Sequence, residues 1–196
     1  MRLDRSCTRC GLQGRIVWGV GPYPARIMLV GEAPGESEER AGTPFVGKAG
    51  AELTYLLSRG GVLRDDVYIT NVAKCRPPKN RDPKDDELDG CSHWLVKELA
   101  MVRPKVVVTV GRIATRVFLG DVDMDMVHGL PYRSSWMEST VAVVPVYHPA
   151  WGLHQPEKMI LVHGDFEALG GYLSGRRPMV KVTDSYAGRE DYRVWS

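Results

Sequence analysis

Four cysteines, one asparagine at the end of an apolar run, one histidine before a proline and a cluster of carboxylates could do chemistry in this 196-residue chain. Cys7 and Cys10 form a Cys-x2-Cys pair, and Cys75 and Cys91 follow with fifteen residues between them. Thiolates grouped in this way bind metal or carry redox chemistry, and four of them suit either tetrahedral zinc or an iron–sulfur cluster. A zinc ribbon repeats the tight knuckle, whereas the second pair here is wide. Spacing alone leaves the metal open. Disulfides are the weaker reading, because the charged start Met1-Arg2-Leu3-Asp4-Arg5-Ser6 leads into no apolar signal core, and the chain is long enough to bury a core without staples.

Asn71 closes the apolar run 67–70. Its amide offers one acceptor and two donors, a set that pairs with the N3–H and O4 edge of uracil, while cytosine presents the opposite pattern. The bland alternative is a turn residue. His148 precedes Pro149, whose ring holds it in extended geometry. Such a loop histidine can be a satisfied polar group, a metal ligand, or a donor to a carbonyl oxygen that gains charge during reaction. The segment Gly31-Glu32-Ala33-Pro34-Gly35-Glu36-Ser37-Glu38-Glu39 is a glycine-bearing turn, yet it lacks both dinucleotide and P-loop fingerprints and carries carboxylates that would repel phosphate. Phe45, between Pro44 and Val46, is either ordinary core or a platform on which a base stacks.

These residues need a frame. Residues 27–30, 67–70, 106–110 and 141–146 are short apolar runs that read as buried parallel strands. Helical spacing falls at 49–59, 85–102, 112–119 and 157–173, and 129–138 reads as a loop or hairpin leading into the last strand. Strands alternating with helices imply an α/β fold, a three-layer α/β/α sandwich around a parallel sheet. Ligands in such sheets bind at the carboxyl ends of the strands, where Gly31–Gly35, Asn71, Gly111 and Tyr147-His148-Pro149-Ala150 all fall. One domain is expected over 1–175, with a C-terminal extension over 176–196.

The net charge of +2 gives no global pull toward nucleic acid. A local patch exists, since Lys74, Arg76, Lys79, Arg81 and Lys84 face only Asp82 between residues 71 and 84. By itself it reads first as a solvated loop, because charge runs are usually surface. No apolar stretch approaches the roughly 18 residues of a membrane helix, so the cytoplasm is the expected compartment and no membrane partner is expected.

Taken together, Gly31-Glu32-Ala33-Pro34-Gly35, Gly42-x-Pro44-Phe45-Val46-Gly47-x-Ala49-Gly50, Tyr68-Ile69-Thr70-Asn71-x-x-Lys74-Cys75-Arg76-Pro77-Pro78, His148-Pro149 and the four cysteines resemble the family 4 uracil-DNA glycosylases, the iron–sulfur branch of that superfamily. The resemblance runs from about Cys7 to Leu173. It implies a four-stranded parallel sheet, a [4Fe-4S] cluster on Cys7, Cys10, Cys75 and Cys91, and a monomeric, monofunctional enzyme. Such an enzyme flips uracil out of single- or double-stranded DNA and hydrolyses its N-glycosidic bond. Phe45 would stack on the base, Asn71 would read its edge, and Glu38 would stand at C5 against a thymine methyl. His148 would donate to O2 while Glu32 and Ala33 line that side of the pocket, with Glu32 the candidate to activate water. Lys74, Arg76, Lys79 and Arg81 would meet DNA from the basic loop. Trp151, Leu153 and His154 would meet it from the loop after His148, where the family usually carries an arginine. The competing reading is a catalytically weak iron–sulfur DNA-binding or replication-associated module. The joint presence of Phe45, Asn71 and His148 speaks against it.

Overall fold

A computed structural model describes residues 7–136 and 139–176. Five strands, β1 (Ile27–Gly31), β2 (Val67–Asn71), β3 (Val106–Val110), β4 (Tyr132–Trp136) and β5 (Ser139–Val146), form one sheet in the order β2-β1-β3-β5-β4. The first three are buried at every position, which is why each reads as an unbroken apolar run rather than an alternating one. β1 pairs in parallel with β2 and β3, and β3 pairs in parallel with β5. The expected four parallel strands are therefore present. The fifth, β4, is antiparallel to β5 with Trp136 opposite Ser139, so the segment taken as a loop or hairpin adds an edge strand. Its sequence, Tyr-Arg-Ser-Ser-Trp, has no apolar run to announce it.

Helices cover both faces. On one, Leu53, Leu56 and Leu57 of α2 (Lys48–Arg59) and Val162, Phe166 and Leu169 of α7 (Met159–Leu173) pack against Leu29, Ile69, Val108 and Val146. On the other, Leu88, Leu95 and Leu99 of a long helix (Asp85–Val102) and Ile113, Ala114 and Phe118 of the next (Arg112–Leu119) pack against Met28, Val30, Tyr68, Val107 and Val143. Alternate residues of each strand thus serve opposite layers.

The segment before β1 docks on the sheet edge at β2. Val20 and Ile69 exchange backbone hydrogen bonds of 2.9 and 2.7 Å, and the Val17 amide donates to the Lys74 carbonyl at 2.7 Å. No helix among the described residues is long and apolar enough to cross a membrane. The expected C-terminal extension lies, apart from Arg176, outside the described residues.

Candidate active site

The site is built where β1 and β2 end side by side. Gly31 is opposite Asn71 in the ladder, and a Cβ at Gly31 would lie 2.4 Å from Asn71 Oδ1 and 2.6 Å from Phe45 Cζ. Only glycine lets those two side chains meet over the strand end. The amides of Val72 and Ala73 donate to the carbonyls of Gly31 and Glu32, each at 2.9 Å, fixing Asn71 beside the turn. The Phe45 ring lies stacked with that of His148, centroids 5.9 Å apart and planes at 25°. Among the described residues nothing hydrogen-bonds the Asn71 side-chain amide, yet no fully buried side-chain polar atom lacks a partner. The amide, on a residue only 2 % exposed, thus keeps its donors and acceptor unspent at the strand end.

His148 caps α6 (Pro149–His154), its Nδ1 accepting from the Ala150 amide at 3.1 Å. A neutral imidazole with Nδ1 occupied as acceptor carries its proton on Nε2. Burial pushes the pKa of His148 down to about 4, against a weaker opposing pull from Glu38. At neutral pH the residue is thus an uncharged donor. Its backbone is held from behind, because Asp165 of α7 accepts from the Tyr147 amide at 2.8 Å and meets His128 Nδ1 at 2.6 Å. The Tyr147 hydroxyl also bonds Asp125.

Two carboxylates flank the site. Burial, then repulsion from Asp82, raises Glu32 to about 7, and Arg112 acts in the opposite direction while bound to Asp82 at 2.6 Å. Glu38, in α1 (Glu36–Ala41), accepts from the amides of Val46 and Gly47 at 3.1 and 3.0 Å. It braces the strand of chain that follows Phe45. Ala33 is partly buried against the apolar layer below.

The basic loop is less available to DNA than its sequence suggests. Lys74 is only 1 % exposed, and its ammonium donates to Glu98 at 2.6 Å, Thr70 at 2.7 Å and the Asn71 carbonyl at 2.5 Å. A buried cation is stable only when so paired. The assignment of Lys74 to DNA contact is therefore corrected: it is a strut beneath Asn71. Arg76 pairs with Glu39 and Glu36 at 3.4 and 3.5 Å. Arg81 grips Glu87 through two hydrogen bonds of 2.8 and 2.5 Å and holds that carboxyl down near 2. Lys79 is exposed, beside a groove lined by Gln13, Arg76 and Arg81. Trp151, also assigned to DNA, lies tilted against Tyr147 with ring centroids 4.4 Å apart and packs, partly buried, on the core, since its large apolar face is better satisfied by packing. Leu153 and His154 remain exposed.

The cysteines gather on the far side of Lys74. Cys91 of the long helix accepts from the Lys74 amide at 3.1 Å, and Cys7 accepts from Trp94 Nε1 at 3.3 Å. Burial pushes the Cys75 thiol up to about 11, with Cys10 and Cys7 adding to the rise. Burial likewise pushes Cys91 up to about 12, with Cys10 and Cys75 contributing. Cys75 thus lies within electrostatic reach of Cys7 and Cys10, and Cys91 within reach of Cys10 and Cys75, although among the described residues no three side chains of metal-ligating type stand at binding separation. A soft, thiophilic metal group fits the donor set, because it would displace the thiol protons and the two N–H donors would stabilise the resulting thiolate sulfur.

A sheet with its polar side chains converging at one carboxyl rim, without a phosphate-binding turn, defines a class. Residues 18–167 match the family model of the uracil DNA glycosylase superfamily. The relatives narrow it. A type-4 uracil-DNA glycosylase of Archaeoglobus fulgidus is 40% identical over 181 residues, covering 88% of this chain and 91% of the relative. One from Sulfurisphaera tokodaii is 40% identical over 84% of this chain and 79% of its own, and one from Thermotoga maritima 41% over 75% and 78%. The chain belongs to the type-4 uracil-DNA glycosylase family.

Of the expected site residues, Phe45, Asn71 and His148 come together, with Glu32 and Glu38 close by. Sequence reasoning missed Glu98, Asp165 and Arg64, which hold these residues from outside the motifs. A polar residue in an otherwise apolar helix face, as at Glu98 and Asp165, was the one available signal.

Proposed function

We propose that this protein excises uracil from DNA by hydrolysing the N-glycosidic bond, leaving an abasic site and an intact strand. The observation that carries the reading is the convergence of Phe45, the unpartnered Asn71 amide and a neutral His148 over Gly31. A base inside a duplex must be extruded before it can be processed, and a mismatched U·G pair is the least costly to open. Phe45 then takes the face of the extruded base and Asn71 its N3–H and O4 edge. As the bond to the sugar breaks, negative charge moves onto the base, and the Nε2–H of His148 donates to O2. A preorganised donor aimed at developing charge is commonly the largest single catalytic effect.

Glu32, poised near neutrality, accepts a proton from the attacking water or orients it. Glu38 stands where the C5 edge of the base would lie, so a methyl there meets a carboxylate that must lose solvent. Leu153 fills the gap left in the duplex, while Lys79, Arg76, Arg81 and His154 approach phosphates. Cys7, Cys10, Cys75 and Cys91 would hold a [4Fe-4S] cluster. It would supply a structural tie between the chain's start and the segment after Asn71, with no part in the bond cleavage.

The test is release of free uracil from a labelled oligonucleotide with one deoxyuridine, followed by alkaline cleavage at the resulting abasic site. Strand scission only after alkali supports the reading. No released base, or scission without alkali, overturns it.

A further inference from the structure

We propose that Arg64 is a positioning residue for the base platform, holding Phe45 in the backbone conformation that brings its ring over Gly31. This deepens the uracil-excision reading and rests on it. Phe45 has φ of 54°, in the left-handed region where a bulky side chain is strained unless its surroundings impose it. Those surroundings are visible. The Arg64 guanidinium donates to the carbonyls of Phe45 at 2.9 Å, Pro44 at 3.2 Å and Gly50 at 3.3 Å, and to Thr54 Oγ1 at 3.0 Å. Among the described residues it forms no salt bridge. Its donors are spent on backbone.

Two further contacts close the cage. The first turn of α2 presses on the same peptide: a Cβ at Gly50 would lie 2.0 Å from the Phe45 carbonyl oxygen, so no other residue fits there. On the far side Glu38 takes the next two amides, Val46 and Gly47. A cation thus binds the carbonyls up to Phe45 and an anion binds the amides after it. The polarity of each charge matches the backbone group it meets. A lysine cannot copy the arrangement, because a single ammonium lacks the planar fork that spans three carbonyls and a hydroxyl together. Without the fork, Phe45 is free to relax to negative φ, and its ring leaves the position where it stacks near His148.

The experiment uses the full chain as wild type, Arg64→Met, Arg64→Lys, Phe45→Ala and the Arg64→Met/Phe45→Ala double variant. Amide hydrogen exchange over residues 44–50 and single-turnover uracil release are measured on each, and thermal melts identify any unfolded variant. Arg64→Met should speed exchange at Val46 and Gly47 while β1 and β2 stay protected, and should slow release by about tenfold or more, as misplacement of a positioning contact does. Arg64→Lys should fall between it and wild type. In the Phe45→Ala background the same change should cost less than about twofold, because residues that act through one another are not additive. Equal fold losses in both backgrounds, or unchanged exchange at 44–50, would overturn the proposal. Absence of release by the wild type would instead defeat the excision reading, and the exchange measurement would still decide whether Arg64 orders the loop.

Discussion

His148 offers the sharpest perturbation because it holds two jobs that separate. Its Nδ1 accepts from the Ala150 amide, which caps α6, and its Nε2–H is left for the base. Replacing it with alanine removes both, whereas asparagine keeps a good helix cap but cannot extend its donor as far. With the pKa near 4, about one molecule in a thousand carries a protonated ring at pH 7, so the donor is the neutral imidazole. Removing one such donor costs roughly 10²–10³ in rate. In single-turnover assays with saturating enzyme, both variants should therefore slow cleavage by about that factor, and only alanine should also lower the melting temperature. The wild-type rate should show no falling limb near 6.5, because no protonated imidazole is required. In stability, the folded pKa lies below the unfolded one, so the contribution is fully present above about 6.5 and is lost as pH falls through about 4. His148→Asn should flatten that window. Cleavage by both variants within about threefold of wild type, or a wild-type rate that needs a group protonated near 6.5, would refute the neutral-donor reasoning.

Glu32, raised to about 7, should give a rising limb in the rate between about pH 6 and 8, and Glu32→Gln should abolish it; a limb that survives the substitution assigns the base elsewhere. Its raised pKa also means that stability is fully present below about 4.5 and falls as pH rises through about 7, so the glutamine variant should gain melting temperature at pH 8. Leu153→Ala should lose far more activity on duplex U·A than on single-stranded uracil, since only the duplex resists opening, and equal losses would point to a folding defect. Anaerobically purified protein should be brown with four irons, and any of Cys7, Cys10, Cys75 or Cys91 changed to Ser should lower the iron content and the melting temperature; stoichiometric zinc in colourless protein would contradict the cluster.

Much of the frame was legible because parallel strands buried on both faces leave unbroken apolar runs, and the motifs at their ends fall in one place by topology. Asn71 and Gly31 were readable as strand termini for this reason. The helices at Asp85–Val102 and Arg112–Leu119 were legible to the residue, each opening just after a break in the pattern. Three things were not. The short helices α1 and α6 are too brief for periodicity to register. The fate of Lys74 depends on Glu98, twenty-four residues away, and a local charge pattern cannot distinguish a buried ion pair from a solvated loop. Arg64 sits in a polar stretch before β2 with nothing in its neighbours to mark it, because its partners are backbone carbonyls that every sequence possesses.

The central claim is that Phe45, Asn71 and His148 form one pocket for uracil. The most direct measurement is the rate of uracil release from a defined oligonucleotide by wild type and Asn71→Ala, alongside an otherwise identical thymine-containing strand. The account predicts rapid release of uracil alone by the wild type and a loss of both binding and cleavage in the variant, whose pocket no longer pairs the polar base edge. Undiminished release by Asn71→Ala, or release of thymine as readily as uracil by the wild type, would contradict it.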